Sequence, residues 1–159
     1  MEPADGPALE WAAEQLESTA MHRTATVRDR YEVSFADDVA DHPLGRLIKF
    51  HGGPTHTFYR VRDDVITEVH RTTGQRKFTI TVTDVARTAE GKTLPRHFNV
   101  SYFSAASGAL DANEDFQEDW IRVGRFDLPQ RRLLIKTDRE GRQVRELLLS
   151  EHKLMPAAR

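Results

Sequence analysis

The chain has 159 residues, no cysteine and a formal net charge of −2, with 38% hydrophobic and 30% charged residues. That balance fits one globular domain with a real core; it excludes disulfides, thiolate metal sites and a cysteine nucleophile, and gives no global charge to recruit nucleic acid or an anionic membrane. No apolar run approaches the roughly 18 residues of a membrane helix, and the start, MEPADGPALEW, lacks the basic-then-apolar layout of a secretory signal, so a cytoplasmic location is expected.

Residues 7–23 are predicted as a helix. Pro7 suits a first helical turn, and Leu9, Ala12, Ala13, Leu16 and Ala20 recur at helical spacing beside Trp11. This stripe is expected to cover a sheet face. The period then changes to two. Strands are expected at 30–35, 45–50, 55–62, 65–72, 77–86, 96–105, 118–126 and 131–138, with a last one at 142–154. Asp63-Asp64 and Thr73-Gly74-Gln75 mark tight turns. AEGKTLP reads as a loop, and Asp127-Leu128-Pro129 as a strand terminator. The sum is an α+β class: a single domain over 1–159, with one helix, an antiparallel sheet of about eight strands across 30–154, and a frayed tail at 155–159. The sheet is expected to curve strongly, like a half-barrel, with the helix on its concave face and a pocket between them.

Lys49 to Arg60, KFHGGPTHTFYR, places His51 and His56 around a Gly-Gly-Pro turn. Strands on both sides make it a hairpin tip rather than a phosphate loop, and the histidine spacing is not that of a metal site. Ile66, Glu68 and His70 share one strand face by alternation. That face is either solvated or, if the sheet curves, the lining of a pocket where a carboxylate beside an imidazole holds an ammonium or moves a proton. The acidic run DANEDFQEDW reads as a wet loop running into a strand. Within it Glu118 and Trp120 share a face with Arg122, either as a pocket wall or with Glu118 and Arg122 as a structural ion pair. Tyr59 and Tyr102 are core residues with satisfied hydroxyls or substrate contacts. Arg60 and Arg71 suit an anionic group. No serine nucleophile elbow, Walker loop, dinucleotide fingerprint or kinase set is present, so neither metal nor cofactor is expected.

DHPLGRLI, FYRVRDDVITEVHRTTGQRKFTITV, EGKTLPRHFNVSYFSAASGAL and DWIRVGRFDLP follow one another in order. Together they resemble domain-of-unknown-function family 3386, over about residues 10 to 154. Two departures stand out. Family members carry a further segment before the counterpart of Trp11, which implies an incomplete sheet that a homologous partner chain completes, as a homo- or heterodimer. They also carry Gln-Val-Asn-Arg where this chain has Glu68-Val69-His70-Arg71. Arginine outnumbers lysine 18 to 5, a bias of GC-rich genomes such as those of actinomycetes. A short chain of this kind is similar to a subunit of the aziridine-forming cyclase of azinomycin-type antibiotic biosynthesis.

Three functions follow as expectations. The first is a cofactor-independent enzyme, or subunit of one, in secondary metabolism, with Glu68, His70 and Glu118 as acid/base groups. Tyr59, Arg60, Arg71, Tyr102, Trp120 and Arg122 would then bind the substrate. The second is a non-catalytic protein holding a small apolar ligand. The third is a structural subunit that stabilises a catalytic homologue.

Overall fold

The computed structural model describes residues 6–21, 31–52, 56–74 and 76–155. The chain divides into two compact units, Met1–Arg30 and Tyr31–Arg159. The first contains α1, Gly6–Met21; residues 22 and 23 of the expected helix, and the centre of the Gly-Gly-Pro turn, lie outside the described residues. Leu9 and Leu16 are 59% and 39% exposed, whereas Trp11, Ala12, Gln15 and Thr19 are half-buried. The Thr19 hydroxyl donates to the Gln15 carbonyl at 2.9 Å, a back-bond typical of Ser and Thr within helices.

The second unit is one open sheet of nine strands in chain order: β1 (Val33–Phe35), β2 (Arg46–Phe50), β3 (His56–Arg62), β4 (Val65–Thr73), β5 (Arg76–Arg87), β6 (Thr93–Ser104), β7 (Leu110–Val123), β8 (Phe126–Asp138) and β9 (Gly141–Leu148). Every neighbouring pair is antiparallel. This corrects the expected class and architecture. The chain is nearly all β, not α+β, and the sheet is an open meander with β1 and β9 as its edges, not a half-barrel. Tight hairpin turns explain the chain-order topology, since a strand that doubles straight back pairs with its predecessor. Asp63 and Asp64 both have positive φ, 50° and 61°, the backbone of a two-residue hairpin turn.

β7 is the other correction. The acidic run is strand, not loop, and the turn that follows is Gly124-Arg125, so Asp127-Leu128-Pro129 lies inside β8. Its acidic side chains are held across the strands: Tyr102 donates to Glu114 at 3.0 Å, His97 meets Asp115 at 2.9 Å, and Arg132 pairs with Glu118. Cross-strand hydrogen-bond partners for Glu114 and Asp115 and an ion-pair partner for Glu118 offset the repulsion that makes the run look like a solvated loop.

Register gives the sheet two chemically distinct faces. Tyr59, Val69, Ile80 and Val100 pair in one row, and Phe98, Phe116 and Leu134 in another of the same side. Val100, Phe116 and Leu134 are its buried apolar residues, and the Phe98 and Phe116 rings stack at 4.7 Å. The opposite side carries Arg60, Glu68, Thr81, Asn99 and Asp115 in one row, and His70, Thr79, Ser101 and Asn113 in the next.

Candidate functional site

The polar side is built at the β3–β4 junction. Glu68 opposes Arg60, and the next residue of β3, Val61, opposes Ile66, which leaves Thr67 as the extra residue of a bulge. The bulge turns Ile66 away from the side shared by Glu68 and His70, so simple alternation fails there. Thr67 is held by its hydroxyl, which donates to the Leu44 carbonyl. Arg60 Nε lies 3.2 Å from Glu68 Oε2, and Arg60 Nη1 donates to Asp37 Oδ2 at 2.8 Å and to the Gly45 carbonyl at 3.0 Å. Gly45 is required at this corner. Its φ is +89°, and a Cβ would lie 2.1 Å from the Val61 oxygen. The Asp37 carboxyl is held below its ordinary value: hydrogen bonds from Arg60 and the Leu47 amide, with the charges of Arg60 and Arg46, outweigh desolvation, which is the largest single contribution and acts upward.

His70 completes the chain of contacts. Its Nε2 lies 3.2 Å from Glu68 Oε2 and its Nδ1 3.1 Å from the Thr79 hydroxyl. The Glu68 side chain is 15% exposed and that of His70 31%. A carboxylate is thus shielded on one flank by a guanidinium and on the other by an imidazole of fixed orientation, with the imidazole on the wetter side.

A second acid–imidazole pair, His97–Asp115, shares this side and is more exposed, at 41% and 29%. Sequence inspection passed over it because the partners lie 18 positions apart and only the β6–β7 register joins them. A groove of about 200 Å³ lined by Asp84, Arg96, His97, Gln117, Glu118, Asp119 and Arg131 adjoins it. That volume falls short of the roughly 300 Å³ at which small-molecule pockets begin. Glu68 and Asp115 are three strands apart in one row, about 14 Å at the usual strand spacing, so one small substrate does not span both pairs.

The remaining candidates lie elsewhere. Tyr59, Arg71 and Tyr102 are on the aromatic side. Arg71 Nη2 is 3.4 Å from the Tyr59 hydroxyl, its guanidinium carbon is 5.9 Å from the Phe78 ring, and its buried Nε has no hydrogen-bond partner among the described residues. The Tyr102 hydroxyl is pushed above its ordinary pKa, first by burial and then by the charge of Glu114. Glu118, with a side chain only 3% exposed, pairs with Arg132 rather than Arg122. The Arg132 guanidinium lies 5.6 Å over the Phe116 ring. The Trp120 indole N–H donates to the Pro95 carbonyl at 2.8 Å. Arg122 joins Glu90 and Asp127 at the surface, and Glu90 is held down to about 2, chiefly by its hydrogen bond from Arg122. The structure therefore brings together Glu68, His70 and Arg60, and separates them from the rest. Among the described residues no cluster of histidine and carboxylate groups is placed to hold a metal ion, and no helix is long and apolar enough to cross a membrane.

One family model matches residues 2–155 and carries the description "Protein of unknown function (DUF3386)". No curated protein and no solved structure matches the chain.

Proposed function

The chain belongs to the DUF3386 family, whose description assigns no reaction, and we propose from the polar site that it is a cofactor-independent enzyme, or enzyme subunit, that moves a proton from a substrate amine through Glu68 and His70. The carrying observation is the contact chain Arg60–Glu68–His70–Thr79 on one side of the sheet. Glu68 binds a substrate ammonium and takes its proton. The freed amine displaces a leaving group on the neighbouring carbon. The new C–N bond forms as the C–O bond breaks, the bonding pair departs with the anion, and the three-membered ring forms as an aziridinium that gives its second proton to solvent. Sulfate is the leaving group that fits best, because it departs as a stable anion and Arg60 supplies positive charge beside Glu68. Ring closure of this kind in antibiotic biosynthesis is the specific form of the proposal. His70, hydrogen-bonded to both Glu68 and Thr79, is the relay to solvent.

The test is release of sulfate from 2-aminoethyl sulfate by the wild type, Glu68→Gln and Glu118→Gln. Loss of about 10²-fold or more in Glu68→Gln, with Glu118→Gln active wherever it is folded, supports the assignment. Turnover untouched in both variants removes it.

A second reading rests on Arg71. A guanidinium beside Tyr59 and Phe78, without a carboxylate partner among the described residues, suits a small ligand with an apolar body and one anionic group. Binding of benzoate but not benzamide, lost in Arg71→Gln, would favour a binding protein over an enzyme.

A further inference from the structure

The outer edge of β9 has a pairing logic of its own. Gly141 to Glu146 are all exposed, with Val144 at 59%. Among the described residues no strand lies beyond β9. The Leu149 amide donates to the Gln130 carbonyl at 2.9 Å. Closely bonded positions alternate along an antiparallel pair, so Leu147, Arg145 and Gln143 also direct their backbone groups at β8. Arg142, Val144, Glu146 and Leu148 consequently direct theirs outward, as a free ladder on an edge with neither proline nor bulge to block it.

We infer that β9 pairs with β9 of a second copy of this chain, antiparallel about a two-fold axis through Val144. In that register Val144 opposes its own copy, and Arg142 opposes Glu146 twice, all at outward-bonding positions. Arg142 has no ion pair among the described residues, and Glu146 is held by Arg131 through Oε1 at 2.7 Å, which leaves Oε2 for a second guanidinium. The neighbouring symmetric registers are worse. Centring on Gln143 sets Glu140 against Glu146, and centring on Arg145 sets that arginine against itself; like charges directly opposite are destabilising. Isologous contact of one patch with itself is the common form of a closed dimer. This inference does not depend on the chemistry proposed for Glu68.

The test is sedimentation equilibrium of the full chain. The wild type is expected at twice the 18.2 kDa of one chain. Val144→Pro removes an outward N–H and spares the β8 ladder, so it should give a folded monomer. Arg142→Glu should weaken dimerisation at least about tenfold, as two new like-charge oppositions demand, and adding Glu146→Arg should restore it. Circular dichroism of each variant separates dissociation from unfolding. A wild-type monomer throughout the accessible concentration range overturns the inference. So does a dimer indifferent to Val144→Pro and Arg142→Glu, or a charge-swapped double variant that stays monomeric while folded.

Discussion

Removing the charge of Glu118 should unfold the sheet more readily than any change at Glu68. The Glu118 and Arg132 side chains are 3% and 11% exposed, and they face each other across β7 and β8 beside buried Phe116. Glu118→Gln takes away the charge that faces the Arg132 guanidinium where both side chains are largely out of water. Breaking a buried pair from one side costs about 3–5 kcal/mol. For a chain of this size, each kcal/mol lowers Tm by about 2–4 °C, so a drop on the order of 10 °C is expected. Urea denaturation should show a lower midpoint at unchanged slope. Replacing both partners together, Glu118→Leu with Arg132→Met, should recover most of the loss, because two apolar groups carry no desolvation penalty. A Glu118→Gln midpoint equal to that of the wild type, or a double variant worse than the single, would refute the reasoning.

Gly45→Ala should cost at least about 1–2 kcal/mol from its left-handed backbone alone, and more because the new Cβ meets the Val61 carbonyl; thermal melts check this. Glu90 contributes stability that is fully present above its ordinary value of 4.5 and is lost as pH falls through about 2, because Arg122 depresses its folded-state value. Carboxyl-carbon NMR should show Glu90 returning towards 4.5 in Arg122→Ala, and the depression should shrink in high salt because both groups are exposed.

Period-two patterning and Gly, Asp and Pro punctuation made most strands legible, from β2 to the β8–β9 hairpin. The rest was hidden where long-range pairing overrides local chemistry. The first half of β7 reads as a loop until Tyr102, His97 and Arg132 are brought to its carboxylates. Ile66 reads as a companion of Glu68 until the Thr67 bulge turns it away. The apolar side of the sheet implies a covering layer, but hydrophobic pattern carries no information about whether a sheet closes; this one is open. At the site, Glu68 and His70 were legible as neighbours on one strand. Their partners Arg60 and Thr79 come from β3 and β5, and Arg60 is held in turn by Asp37 from the segment before β2, so only the fold supplies them.

The most direct test of the proposed site is where a substrate-like amine settles on the sheet. In a ¹H–¹⁵N NMR titration with 2-aminoethyl sulfate, the His70 ring nitrogens and the Arg60 Nε–H should shift and saturate together in the wild type, and should not move in Glu68→Gln. Shifts confined to Tyr59, Arg71 and Tyr102 on the opposite side, with His70 unmoved, would contradict it.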